Sequence, residues 1–174
     1  WLGSDGDGLW RYEHGEWTQF TTASGLQNNI VRSITRLHSG RLWVGQWDGH
    51  LAEQLGERFK AIETPWIKGP QQAVNVFLND ASGGVWVGLR KGGLARHDGR
   101  NWLYFDSAKS AAPEFVLGLA ESMHQGEPVI WASSKGKGLG RYYRGQWRIF
   151  NTSNSAVPDD ELINTQLIPD AQKR

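Results

Sequence analysis

The residues of this chain best suited to holding a polar molecule fall in short connections that break an otherwise repeated sequence. Trp47 and Asp48 occupy one turn, Arg90 and Lys91 occupy the equivalent turn one repeat later, and Trp66 lies in the link between them. Together they supply a ring, a carboxylate and cations, the mixture that a concave site uses to orient a polar ligand. An exposed Trp47 beside Asp48 suits stacking on a sugar ring, with a hydroxyl bonded to the carboxylate. Trp66 is a second candidate of the same kind. The competing reading for both tryptophans is that they only cap the ends of the strands. The equivalent turns of the first and last repeats carry Asp5 with Asp7 and Lys135 with Lys137, so the series runs from acidic to basic along the chain.

Catalysis finds less support. His14, His38, His50, His97 and His124 fall at unrelated offsets in the repeats, and no His-x-x-x-His pair suggests a zinc site. Asp5-Gly6-Asp7-Gly8 and Asp159-Asp160-Glu161 have the oxygens to attract calcium but lack the register of a twelve-residue calcium loop. Ser24, Ser110 and Ser133 lack the strand-turn-helix setting of a nucleophile elbow. Gly92-Gly93 and Lys135-Gly136-Lys137-Gly138 have a superficial likeness to phosphate-cradling loops, without the helix such a loop requires. There is no cysteine, hence no disulfide, thiol chemistry or cysteine-bound metal. The expectation is a non-catalytic chain with no cofactor and no metal.

The scaffold behind these turns is one pattern written four times. Its idealised form is W-x-G-x-x-x-x-G-L, and its copies begin at Trp1, Trp43, Trp86 and Trp131, with periods of 42, 43 and 45 residues. Eight residues after each lead tryptophan comes Leu9, Leu51, Leu94 or Leu139. Sixteen after it comes Trp17, Phe59, Trp102 or Trp147, and three further on Phe20, Ile62, Phe105 or Phe150. A repeated aromatic code at a period near 43 marks an array whose units bury their faces against their neighbours.

Each period divides into four short alternating runs separated by glycine-containing turns, here termed strands A to D. In the second copy they are Ile30 to Leu37, Arg41 to Gly45, His50 to Gln54 and Arg58 to Ile62. That pattern predicts an all-β chain, a β-propeller segment of four-stranded antiparallel blades with strand A innermost. Blade portions are expected at residues 1–22, 28–63, 72–106 and 114–151, with a final innermost strand near 161–167. Phe115 to Met123 has some helical character, but its place in the repeat argues strand. An open arc from a larger ring is preferred over a closed four-bladed ring, in which Leu162-Ile163 would lie beside Leu2-Gly3. The chain opens inside a repeat, so it reads as an excerpt.

Lead tryptophans and strand-D rings are expected to pack between blades. Gly8, Gly93 and Gly138 open C strands after tight turns, where glycine supplies a positive φ or a close approach. The links from D to the next A vary most, at 21–26, 63–70, 106–113 and 151–158, and lie on the same face as the B-to-C turns. Variable connections over a repeated scaffold are where binding sites often reside.

Bulk properties agree. Hydrophobic residues make up 39% of 174, enough for a core of that size, while 22 glycines and ten tryptophans suit tight hairpins packed by large rings. The net charge is +1, which argues against a nucleic-acid surface. No run of eighteen apolar residues exists to span a membrane.

Leu42-Trp43-Val44-Gly45, Val85-Trp86-Val87-Gly88 and Gly93-Leu94-Ala95-Arg96-His97-Asp98-Gly99, with Phe20 to Leu26, carry a family likeness. They resemble the two-component regulator propeller repeat, L-W-x-G-T-x-x-G-L-x-R-Y-D-G followed by an aromatic strand and a T-x-x-D-G-L link. Copy two departs with His50-Leu51-Ala52-Glu53, and copy four has Ala132-Ser133 for the aliphatic-glycine pair. The resemblance implies part of a large propeller, often seven-bladed, on the periplasmic side of a membrane-anchored bacterial signalling protein with a cytoplasmic kinase or cyclase. Implied partners are an oligosaccharide or other small polar ligand, the remaining blades of the parent, and a homodimer of the parent receptor. The alternative is a structural or protein-interaction propeller, and a carbohydrate-active lyase or hydrolase comes third.

Overall fold

Apart from one short 3-10 turn at Thr22–Ser24, the regular structure is β, in the computed structural model that describes residues 1–66, 68–162 and 167–168. The first sheet contains β1 (Leu2–Gly3), β2 (Leu9–Glu13) and β3 (Glu16–Phe20). The second is β4 (Val31–Arg36), β5 (Leu42–Gln46), β6 (Leu51–Leu55) and β7 (Arg58–Ile62). β8 (Val74–Asn79), β9 (Val85–Leu89), β10 (Gly93–His97) and β11 (Trp102–Asp106) make the third. The fourth holds β12 (Val116–His124), β13 (Glu127–Ser134), β14 (Gly138–Tyr143) and β15 (Gln146–Phe150). Within each sheet every strand pairs antiparallel with its sequence neighbour. The segment beginning at Phe115 is therefore strand from Val116 onward.

The A strands converge, with β4 packed on β8 and β8 on β12, whereas the D strands meet through rings, Phe20 on Phe59 and Phe105 on Trp147. Strand A is thus at the hub of an arc whose sheets stack first on second, second on third and third on fourth. Among the described residues the ring does not close. Glu161 bridges Lys135 and the Leu162 N–H donates to the Ser134 carbonyl at 3.1 Å, repeating the way Ile30 and Val31 begin β4 against the first sheet. Most of the expected last strand, including Ile163, lies outside the described residues.

Each complete sheet carries a β-bulge at the same place, early in strand A. The register slips between Val31 and Ser33, between Val74 and Val76, and between Val116 and Gly118, leaving Arg32, Asn75 and Leu117 as the extra residues. A bulge interrupts the ladder and re-aims a side chain. In the longer fourth copy the added residues do not enlarge the A-to-B loop. They extend both strands as Met123 opposite Pro128 and His124 opposite Glu127, closed by Gln125 and Gly126 at positive φ. Two such residues form the hairpin turn whose twist matches the strands.

The aromatic code joins each sheet to the next. Trp1 packs on Phe59 of the second sheet, Trp43 on Trp102 of the third, and Trp86 on Tyr142 and Trp147 of the fourth. Trp43 and Trp86 are both 2% exposed, as core packing requires. The rule also accounts for two departures from expectation. Trp17, in the first sheet, has no lead tryptophan from an earlier sheet packed on it among the described residues and is 55% exposed, resting on Tyr12. Trp131, in the fourth sheet, is only half-buried and donates its indole N–H to Ser122. Gly8, Gly93 and Gly138 have φ of 81°, 98° and 77°, and a Cβ there would collide with the carbonyls of Phe20, Phe105 and Phe150.

Candidate functional site

Backbone hydrogen bonds hold B-to-C turns against D-to-A links, which places both on one face of the arc. The Gly69 N–H donates to the Asp48 carbonyl at 2.8 Å, and the Ser107 N–H to the Gly92 carbonyl at 3.2 Å. The second sheet adds a buried polar latch. Gln46 is fully buried, and its Oε1 accepts from the N–H groups of Gln27 and Asn28 at 2.8 and 2.5 Å. Asn28, so held, donates its side-chain amide to Asp48 Oδ2 at 3.1 Å. On the other side His50, standing where the other copies have glycine, brings its Nδ1 to 3.0 Å from Asp48 Oδ1. Burial pushes the Asp48 carboxyl up, but the hydrogen bonds from Asn28 and His50 outweigh it and hold the group below the ordinary carboxylate range.

Two grooves open on this face. One, of about 490 Å³, is bounded by Asn28, Trp47, Asp48, His50 and the Lys68–Pro70 stretch. The other, of about 550 Å³, runs between the link after the second sheet and the outer strands of the third. Pro65, Trp66, Gln72, Lys91, Tyr104 and Asp106 contribute to its wall. Burial, with the nearby Asp106 charge, pushes the Tyr104 hydroxyl above its ordinary pKa, so it remains a neutral donor and acceptor.

The five residues singled out from the sequence do not converge on one pocket. Trp47 and Asp48 border the first groove, while Trp66 and Lys91 border the second. Trp66 is 4% exposed, donates its indole N–H to the Gly49 carbonyl at 2.8 Å and meets Trp102 edge-on. The expectation of a ring offered to ligand is corrected there: Trp66 is a packing residue with one edge on a groove wall. Trp47 is half-buried, and its ring carries two guanidinium groups, with Arg32 Cζ 5.0 Å and Arg90 Cζ 4.6 Å from its centroid. Arg90 also stands 5.1 Å from the Phe115 ring, which Lys135 approaches at 5.7 Å. Lys91 is exposed and has no ion-pair partner among the described residues.

Sequence reasoning missed Arg32, Phe115, Tyr104 and the latch through Gln46. Gln46 alone gives a signal in the repeat, since Leu89 and Ser134 stand at its equivalent positions.

No protein-family model matches the chain, and no curated protein matches it. Solved structures do. The extracellular domain named for the hybrid two component system BT3049 of B. thetaiotaomicron aligns with 88% of this chain at 26% identity and a TM-score of 0.72. The extracellular domain of BT4673 from the same organism, also named a hybrid two component system, aligns with 92% at 24% identity and a TM-score of 0.74. A further structure of a BT4673 extracellular domain, there named a one component system, covers 98% at 23% identity and a TM-score of 0.76. This chain is a β-propeller segment, similar to the extracytoplasmic signalling domains of two-component systems. It spans 21% to 24% of the chains it matches. The propeller segment shares their fold and their extracytoplasmic setting, in agreement with the repeat resemblance.

Proposed function

We propose that this propeller segment is a non-catalytic part of a ligand-sensing receptor and takes a small polar ligand, of the oligosaccharide class, on the face of the B-to-C turns and D-to-A links. The observation that carries the reading is the groove of about 550 Å³ between the second and third sheets. Its wall combines the Tyr104 ring and hydroxyl, the Gln72 amide, the Asp106 carboxylate and the Lys91 ammonium, none of which belongs to the repeated packing code. An aromatic surface with a few convergent polar groups is what a sugar needs.

The non-catalytic part has its own support. His97 is wedged between the Trp43 and Trp102 rings at 5.5 and 4.7 Å, and burial lowers its pKa, so it serves packing. His50 and Asp48 lie together, but among the described residues the groove beside them is lined by neither a serine nor a second carboxylate.

Isothermal titration of the full chain with a panel of neutral and acidic oligosaccharides tests the reading. Saturable heat that weakens in Tyr104→Ala, with the fold retained, supports it. Absence of binding across the panel, together with sugar-independent self-association, favours the assembly reading instead.

A further inference from the structure

Arg32, Trp47, Arg90, Phe115 and Lys135 form a single ladder of alternating cations and rings that crosses three sheets near the hub. Its steps are 5.0, 4.6, 5.1 and 5.7 Å from charge to ring centroid. None of the three cations has a carboxylate partner among the described residues. The nearest acidic groups in sequence are otherwise disposed. Asp48 is held by Asn28 and His50, while Glu114 is exposed and Glu161 meets Lys135 only through the backbone bridge. Rings keep the guanidinium groups ordered without neutralising them, because a cation over a ring retains its full charge and its outward N–H donors. The bulge at Arg32 and the positive φ of 51° at Phe115 both take these residues out of the regular ladder.

We infer that this ladder binds the oxyanion groups of an acidic ligand, a carboxylated or sulfated saccharide. The inference rests on the ligand-sensing reading above and adds the charge class of the ligand. A guanidinium presents two parallel N–H groups to a carboxylate or sulfate, so planar oxyanions fit better than hydroxyls. Like charges held by a shared ring repel one another, and an anion between them removes that repulsion as it binds. Lys91, next to Arg90 on the wall of the larger groove, extends the cationic surface toward Tyr104.

Galactotriose, its sulfate ester and trigalacturonate separate the possibilities, titrated calorimetrically into the full chain. The expected result is that at least one charged sugar binds at least about tenfold more tightly than galactotriose. The sulfate and carboxylate arms show which group is preferred. Arg90→Gln and Arg32→Gln should each weaken the charged sugar about tenfold while circular dichroism shows the fold retained, since charge-assisted bonds are lost at half-buried and exposed side chains. Affinity should fall steeply between about 10 mM and about 1 M salt, over which the Debye length shrinks from about 30 Å to about 3 Å. Galactotriose binding as tightly as both charged sugars, unaffected by either substitution, overturns the acidic-ligand inference and leaves the ligand-sensing reading standing. Failure of all three sugars to bind overturns the inference and counts against that reading as well.

Discussion

The indole N–H of Trp43 donates to Glu53 Oε2 at 2.8 Å, and Glu53 stands where the third and fourth copies have Arg96 and Arg141. In the third sheet the equivalent Trp86 donates instead to Asp80 Oδ2 at 3.1 Å, and Arg96 binds that same oxygen at 2.7 Å. The second sheet inverts the pair: the acid is on strand C as Glu53, and Arg41, in the turn before strand B, answers it at 3.1 Å. A buried indole N–H requires an acceptor, and either arrangement supplies one.

Restoring arginine at this position should therefore harm the second sheet. Glu53→Arg leaves the Trp43 N–H unpaired and sets two cations together, for a loss of about 1–3 kcal/mol in urea unfolding, the cost of an orphaned buried donor. Glu53→Gln keeps an acceptor and should lose less. Equal losses in the two variants would show that the hydrogen bond does not matter there.

Asp80 makes stability depend on acid pH. It is 3% exposed; burial pushes its carboxyl up, but hydrogen bonds from Arg96, Ser82 and the Gly84 N–H, with the Arg96 charge, outweigh this and hold it at about 2. The folded value lies below the ordinary value near 4, so the contribution is complete above about pH 4 and is lost as pH falls through the folded value. Thermal melting from pH 6 to about pH 2 should show a steeper acid decline for the wild type than for Asp80→Asn. Parallel curves would exclude this carboxylate as the source.

The tryptophans should separate into two groups. Trp43→Ala, Trp86→Ala and Trp66→Ala each remove a ring at most 4% exposed and should cost about 3–5 kcal/mol in denaturant unfolding. Trp47→Ala removes a half-buried ring held by two cation contacts and should cost about 1–2 kcal/mol. A loss at Trp47 equal to the core values would make it another packing residue.

Gln46→Leu tests the latch. The variant matches Leu89 in size and apolar character but orphans the N–H groups of Gln27 and Asn28. Hydrogen exchange at those two amides should quicken, and stability should fall by about 1–3 kcal/mol. Unchanged protection at both amides would mean that the link is held by other contacts.

The repeat made the blades legible because both faces of an inner sheet are buried, so each turn of the pattern had to specify rings and small residues at fixed offsets. Trp43, Trp86 and Phe59 were readable for that reason. Trp66 and Trp47 were not, because their burial depends on the path of one link and on what crosses above one turn. The same limit applies to Arg32: alternation along Val31-Arg32-Ser33-Ile34 suggests an ordinary strand, and nothing local announces the slipped register. Trp17 looked like its counterparts, yet its burial depends on a neighbour rather than on its own strand.

The slipped position in strand A carries a wider consequence. Three sheets hold it, and it is occupied by a cation, an amide and an alkane in Arg32, Asn75 and Leu117. The scaffold accepts all three chemistries at one geometry. In the three complete sheets this address near the hub is not held to one residue type, and at Asn75 the side-chain amide ties the third sheet to the Val116 carbonyl of the fourth at 3.0 Å. Exchanging Arg32 and Leu117 offers a route to new recognition surfaces, whereas Asn75 is committed to the seam between sheets, and the slip makes related propellers of this architecture comparable position by position.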